Sequence, residues 1–183
     1  MIKNKELVFI TGNAGKAKYL KEYLDIPVEF VNVDLPEIQS LSLREVVEDK
    51  ADRAFKAVGK PVLVEDVSLT FKAMGKLPGP LIKWFLDSLK NDGLCRLLDS
   101  YQDRRAVAEV QFAYCDEKGV TVFESSVNGT ISKEPKGEEG FGWDSIFIPE
   151  GYDQTWGEMN PSEKHATSMR RLALDKVKKF LNK

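Results

Sequence analysis

The sequence contains a single histidine, His165, and only two cysteines, Cys95 and Cys115, among its 183 residues. One histidine excludes a metal site built from several histidines, and any nucleophile activated by histidine would have to use His165. The two cysteines are far apart and match no metal-binding spacing, so we expect buried or half-buried free thiols in a reducing compartment. We therefore expect any chemistry to use carboxylates, lysines and a hard metal ion.

Long apolar runs and an excess of one charge are also missing. No apolar stretch approaches about 18 residues, so we expect no transmembrane helix and no membrane partner. The 27 basic and 29 acidic residues are well mixed and give a net charge of -2, which argues against a general nucleic-acid binder. The first six residues lack a signal-peptide pattern, so we expect a cytoplasmic protein.

The apolar pattern predicts a single α/β domain, residues 1–183, with a central mixed sheet flanked by helices. Strand and helix patterns alternate in the first third, and two β-rich segments follow in the middle, joined by a hairpin-like turn at 116–119. Predicted strands cover 7–11, 28–33, 61–65, 68–73, 106–115, 120–131 and 144–149. Predicted helices cover 15–24, 43–58, 81–89, 92–100 and 161–181, the last with Asn160 as its N-cap.

Residues 11–16, TGNAGK, follow a predicted strand and open a predicted helix. The free amides of a first helical turn and the helix dipole both favour a bound anion there. Gly12 and Gly15 allow the backbone to approach phosphate oxygens closely, and Lys16 adds a positive charge. The segment is not a Walker A loop, and many such turns contain glycine and asparagine for conformational reasons alone.

Lys50 lies within the apolar stripe of the predicted helix 43–58. The stripe is formed by Leu43, Val46, Val47, Ala51, Ala54 and Val58. An inward lysine is costly unless it meets an anion, so we favour an anionic partner for Lys50. The alternative is an ordinary lysine whose stem runs along the apolar surface to solvent.

Two carboxylates, Glu65 and Asp66, follow the apolar strand predicted for 61–65. In open α/β sheets, ligands bind beyond the carboxyl ends of the strands, so this position favours a functional role. The alternative is a pair of acids that begins a turn. Glu37 lies in a segment with little regular pattern and carries little weight alone.

Residues 141–144, FGWD, place two aromatic rings around a glycine and beside an acid. This combination suits stacking on a planar base and recognition of its edge, whereas a core anchor that closes the loop is the alternative. Lys164, Ser168 and Arg171 share one polar face of the predicted last helix, which we interpret as an anion-binding face rather than an ordinary amphipathic one.

Together these motifs resemble the inosine triphosphate pyrophosphatases, also described as dITP/XTP pyrophosphatases, over essentially the whole chain. The matching segments are TGNAGK at 11–16, DLPE at 34–37, Lys50, LVED at 63–66, LPGPLIKWF at 77–85, FGWD at 141–144, and Lys164, Ser168 and Arg170. The resemblance implies an elongated, two-lobed α/β fold with a long mixed sheet, a nucleotide cleft between the lobes, and a homodimer.

The resemblance also implies Mg²⁺-dependent hydrolysis of ITP, dITP and XTP to the monophosphate and pyrophosphate, with Mn²⁺ as a substitute metal. This reaction removes deaminated purines from the nucleotide pool. The implied metal ligands are Glu37 and Asp66, and the implied catalytic residues are Asp66, as base for the attacking water, and Lys50. The implied substrate-binding residues are Thr11, Gly12, Asn13, Ala14, Gly15, Lys16, Lys50, Asp66, Val67, Lys83, Phe141, Gly142, Trp143, Asp144, Lys164, Ser168, Met169 and Arg170.

Two residues depart from the family pattern. Met169 stands where relatives often carry histidine, and a thioether cannot donate a hydrogen bond to a base. Val67 stands where serine or threonine is common. Both positions bear on base selection more than on phosphate chemistry. The alternatives are therefore a pyrophosphatase with broader or altered base choice, including modified pyrimidines, and a nucleotide-binding regulator without turnover.

Overall fold

The computed structural model describes residues 7–24 and 27–182 of the chain. The N-terminal residues 1–6, whose pattern was considered above, lie outside this range. The described chain forms two compact units. The first lies within Met1–Asp66, Val110–Ser125 and Leu172–Lys183, and the second comprises Val67–Glu109 and Ser126–Arg171.

The predicted mixed sheet is confirmed. In the described residues it has seven strands in the order β2-β1-β3-β5-β6-β7, with β4 beside β3. β1 is parallel to both β2 and β3, whereas the β3–β4 and β6–β7 pairs are antiparallel. The strands are β1 Leu7–Ile10, β2 Val28–Val31, β3 Val62–Phe71, β4 Pro78–Gly79, β5 Arg105–Asp116, β6 Gly119–Ile131 and β7 Phe147–Pro149.

Five α-helices accompany the sheet in the described part of the chain. They are α1 Ala14–Leu24, α2 Leu43–Val58, α3 Ile82–Arg96, α4 Pro161–Thr167 and α5 Met169–Leu181. The bounds predicted for α2 are confirmed. Its N-cap Ser42 accepts a hydrogen bond from Glu45 N, and Gly59 ends it in the left-handed conformation that glycine adopts without strain. None of the described helices is long and apolar enough to cross a membrane.

The core of the first unit forms where α2 lies against the sheet. Its buried members are Val8, Ile10, Val47, Ala51, Ala54, Val62, Val64, Ala113 and Cys115. The stripe predicted for α2 supplies three of these residues, so its apolar side faces the strands. Removal of this apolar surface from water is the main force that fixes α2, and with it Lys50, above β3.

In the second unit, three aromatic rings form a buried cluster beside the loop at 133–143. The ring centroids of Phe147 and Trp156 are 4.5 Å apart, and Trp143 lies 5.8 Å from Phe147 and 5.7 Å from Trp156. All three residues are buried. Trp143 is therefore a core anchor that ties the end of this loop to β7.

Three predicted strands differ from the structure around β3 and β7. The strands predicted at 61–65 and 68–73 form one continuous strand, β3, so Glu65 and Asp66 lie inside it rather than at its end. Each carboxylate has a lysine partner, which allows acidic side chains within a covered strand. The strand predicted at 144–149 is a short 3₁₀ turn, Asp144–Ile146, followed by β7.

The predicted last helix is also wrong in one respect, because it breaks at Ser168 (φ -74°, ψ 122°) into α4 and α5. The Thr167 hydroxyl bonds to the carbonyl oxygens of Glu163 and Lys164 and accepts a hydrogen bond from Trp156 Nε1. Such side-chain bonds compete with the helical backbone pattern. The predicted shared face of Lys164, Ser168 and Arg171 therefore does not exist as one helical surface.

The two cysteines lie in different units, Cys95 in α3 and Cys115 in β5, and both are buried free thiols as expected. Burial raises the pKa of each thiol above its usual value. We expect both to react with a thiol reagent at least about 100-fold more slowly in the native protein than in denaturant, because the reactive thiolate is scarce and inaccessible. Rapid labelling of one thiol per native chain would contradict this packing.

Candidate active site

The turn that follows β1 is held by its own polar groups. Thr11 N donates to Val31 O at 3.1 Å, and Asn13 N donates to Thr11 Oγ1 at 3.0 Å. Asn13 Oδ1 in turn accepts from Lys16 N at 3.1 Å, which caps the start of α1. A preordered turn at a helix N-terminus, with exposed glycines at 12 and 15, is suited to phosphate.

The Lys16 side chain is held by a partner that sequence reasoning did not include in the site. Lys16 Nζ lies 3.2 Å from Glu65 Oε1, and the Glu65 side chain is only 1% exposed. Successive residues of a strand point to opposite faces, so Glu65 faces the α1 lysine while Asp66 faces α2. The period-two alternation of β3 was the signal that could have separated these two carboxylates.

Lys50 joins two carboxylates in the first unit. Its Nζ lies 3.0 Å from Asp66 Oδ2 and 3.2 Å from Glu37 Oε2. Burial alone would lower the pKa of Lys50, but the charges of Asp66 and Glu37 and the hydrogen bonds to them outweigh it, and the pKa is raised above its usual value. Lys50 is therefore a fixed cation at neutral pH. We call these three residues the carboxylate–lysine cluster.

The carboxylate oxygens of this cluster are ligands that suit a hard divalent cation. Glu37 and Asp66 each bring an oxygen to within hydrogen-bond distance of one nitrogen, so the two carboxylates converge on a single point. Within 7–24 and 27–182, no group of three or more His, Cys, Asp or Glu side chains is arranged to hold a metal. The protein would thus supply two oxygen ligands, which suits Mg²⁺, an ion that keeps several waters and takes others from substrate phosphates.

A second cluster, in the other unit, surrounds Asp144. The Asp144 side chain is 12% exposed; its Oδ2 accepts from Phe141 N at 2.7 Å and from Lys164 Nζ at 2.5 Å. Lys164 Nζ and Arg170 Cζ lie 5.4 Å and 5.2 Å from the centroid of the Phe141 ring, and that ring is 40% exposed. We call Phe141, Asp144, Lys164 and Arg170 the aromatic–cation cluster.

Gly140 lies within van der Waals reach of this cluster. A Cβ added there would stand 2.3 Å from Asp144 Oδ2 and 2.4 Å from Lys164 Nζ, and its φ is +87°. Both the backbone conformation and the space therefore require glycine. Gly140 was not among the predicted site residues, because its part in the Asp144–Lys164 contact depends on tertiary packing.

The remaining predicted site residues are placed as follows. Lys83 is exposed on α3, with its Nζ 5.9 Å from the centroid of the exposed Trp84 ring. Val67 is half-buried in β3 next to Asp66, and Ser168 lies at the break between α4 and α5. Met169 is 3% exposed, so its side chain belongs to the core. Of the two FGWD aromatics, Phe141 is open to a ligand and Trp143 is buried.

Comparison with known proteins identifies relatives of this chain. Residues 7–180 match the model of the Ham1 family. The chain is 44% identical over 179 residues to "Inosine triphosphate pyrophosphatase 1" of Trypanosoma cruzi, covering 96% of this chain and 91% of that protein. It is 40% identical over 175 residues to the "dITP/XTP pyrophosphatase" of Methanopyrus kandleri, covering 93% of each.

A solved structure has the same fold. The HAM1 protein from Coxiella burnetii superposes with a TM-score of 0.87 at 27% sequence identity, covering 98% of this chain and 99% of that chain. The family match extends over nearly the whole described chain. This chain therefore belongs to the Ham1 family.

Proposed function

We propose that this protein hydrolyses non-standard purine nucleoside triphosphates such as ITP, dITP and XTP, giving the monophosphate and pyrophosphate. The carboxylate–lysine cluster carries the proposal, since it combines two convergent carboxylates with a fixed cation beside a phosphate-type turn. Family membership and the printed names of the relatives support the same reaction. The aromatic–cation cluster adds chemistry suited to a purine base.

In the proposed reaction, water attacks the α-phosphorus and pyrophosphate leaves. Asp66 is 14% exposed on its side chain and lies at the cluster, so we assign it to orient the water and accept its proton. Lys50, released from a carboxylate, would donate to phosphate oxygens and stabilise the charge that develops on them. The turn at 11–16 would bind other phosphate oxygens through backbone amides.

We propose Mg²⁺, with Mn²⁺ as a substitute, as the cofactor. Glu37 and Asp66 would hold it, and when bound it would neutralise charge on the triphosphate. The Lys50 ammonium lies within hydrogen-bond distance of both carboxylates, so Glu37 and Asp66 are held close together despite their like charge.

Base selection is assigned to the aromatic–cation cluster. The exposed face of Phe141 can stack on a purine, and the ammonium of Lys164 or the guanidinium of Arg170 can donate to the 6-oxo group of hypoxanthine or xanthine. The 6-amino group of ATP cannot accept such a bond and would leave a donor unpaired. Met169 is buried, so we assign base selection to Phe141, Lys164 and Arg170 rather than to the Met169 side chain.

We also propose a homodimer, which the resemblance implies, and a cytoplasmic location, which the buried free thiols support. Light scattering on the purified protein would measure the mass of the particle and so test the dimer, for which a mass of twice 20.7 kDa is expected.

The substrate panel tests the proposed function. Pyrophosphate release would be measured from ITP, XTP, dITP, GTP, ATP and dUTP, with Mg²⁺ and with excess chelator. We expect chelator-sensitive release with kcat/KM for ITP and XTP at least about 100-fold above that for ATP, because unpaired donors penalise the amino purine. Equal turnover of all purines would retain the hydrolase and reject the base assignment. Binding of ITP with no release from any triphosphate would indicate a regulator instead.

Asp66→Asn should lower kcat for ITP by about 100-fold or more, because an amide can neither accept the proton of water nor provide a charged metal ligand. Nucleotide binding should change by only a few-fold. The matched control is Asp52→Asn on α2, whose partner is the exposed Lys56, and it should leave kcat unchanged. Turnover near the wild-type rate in Asp66→Asn would show that another group activates the water.

Lys50→Met should raise the KM for ITP and lower kcat, with a combined loss in kcat/KM of about 100-fold, because the half-buried cation that we assign to the phosphate oxygens is removed. Lys56→Met on the same helix removes an exposed, carboxylate-paired lysine and serves as the control. Steady-state kinetics measure both. Kinetics equal to the wild type in Lys50→Met would favour the alternative of an ordinary lysine with no part in catalysis.

A further inference from the structure

A backbone break interrupts α3 at Lys90, which has φ 58° and ψ 179°. It is the one residue other than glycine with a positive φ in the part of the chain that the structure describes. This region of backbone space is populated almost exclusively by glycine, so a lysine there is strained. Such strain persists only where surrounding contacts impose it, and the next residue, Asn91, makes contacts of this kind.

The Asn91 side chain reaches from α3 to the loop that carries the aromatic–cation cluster. Its Nδ2 donates to Gly142 O at 2.9 Å and to Ser145 Oγ at 2.9 Å. A carbonyl oxygen can only accept, so the bond to Gly142 fixes the orientation of the amide. Asn91 Oδ1 is buried and has no hydrogen-bond partner among the described residues. The Asn91 amide therefore makes two hydrogen bonds to a single turn through its nitrogen, while its oxygen makes none.

These bonds hold both ends of the turn that contains Trp143 and Asp144. Trp143 is anchored in the aromatic core, while Asp144 binds Phe141 N and Lys164 Nζ. A shift of the Gly142 carbonyl or of Ser145 would therefore move the Asp144 carboxylate, which positions Phe141 and Lys164. Gly142 in this turn has φ +70°, and glycine adopts many backbone conformations. The backbone preferences of the turn therefore do not fix its geometry.

We propose that Asn91 is a positioning residue for base recognition. It holds the turn from Gly142 to Ser145 so that Asp144 keeps Lys164 and the exposed Phe141 ring in the geometry that reads the base. The strained backbone of Lys90 is the conformation that delivers Asn91 to this turn. The effect of Asn91 on catalysis rests on the proposed function, whereas its contact with the turn does not depend on that function.

Hydrogen exchange tests the positioning role without any turnover. In Asn91→Ala, amides in residues 141–146 should exchange at least about tenfold faster than in the wild type, while amides of β1 and α2 are unchanged. Asp92→Asn, the exposed next residue of the same helix, is the matched control and should leave the exchange pattern as in the wild type. Equal exchange in Asn91→Ala and the wild type would overturn the proposal.

Kinetics test the consequence for the base. Asn91→Ala should raise the KM for ITP about tenfold with kcat within about twofold, since two hydrogen bonds that fix the base-reading geometry are lost. The affinity for inorganic tripolyphosphate, which has no base, should stay as in the wild type. A loss of affinity for both ligands, or for neither, would overturn the assignment to base recognition.

Ser145→Ala removes only one of the two bonds and gives a second, milder variant should Asn91→Ala fold poorly. We expect a smaller rise in KM for ITP, and no further rise when it is combined with Asn91→Ala. Additive effects in the double variant would show that the two residues do not act through their contact. If the wild type hydrolyses no triphosphate, the proposed function fails on its own, and the exchange experiment still decides whether Asn91 holds the turn.

Discussion

The ion pairs of Lys50 with Asp66 and Glu37 are the interaction on which this account depends. Two carboxylates close together repel each other unless a cation lies between them, and here a lysine from α2 supplies that charge. The arrangement requires α2 to lie above β3 with its apolar stripe buried. The packing that forms the core of the first unit therefore also places Lys50 beside the two carboxylates. In the proposed function, Glu37 and Asp66 would hold a divalent cation and Lys50 would donate to phosphate oxygens.

The second unit uses the same principle with different partners. Asp144 is buried, and its charge is met by the amide of Phe141 and the ammonium of Lys164. The surrounding structure provides the space and the anchorage: Gly140 leaves room for the contact, and Trp143 fixes the loop to the aromatic core. Phe141, two residues before the buried Trp143, is 40% exposed. Each cluster is built from contacts inside its own unit.

Local signals predicted much of the fold. The bounds of α2 could be predicted because Ser42, Gly59 and the apolar stripe agree, and the hairpin of β5 and β6 because its turn is polar and glycine-containing. The continuity of β3 could not, since Glu65 and Asp66 are acceptable in a strand only because lysines from two other elements reach them. The break at Ser168 depends on a bond from Trp156 to Thr167, and the break at Lys90 on contacts of Asn91 with a distant turn. Such tertiary contacts leave no local pattern.

The same distinction applies to the candidate site. Lys50 and Asp66 could be predicted from their positions, whereas Glu37 carried weight only through family resemblance, because a loop carboxylate has no pattern of its own.

The most direct measurement is the Mg²⁺ dependence of pyrophosphate release from ITP in the wild type and in Glu37→Gln. We expect half-maximal release in Glu37→Gln to need at least about tenfold more Mg²⁺, since one of the two proposed charged ligands is lost. Release that persists in excess chelator, or an unchanged Mg²⁺ requirement in the variant, would contradict it.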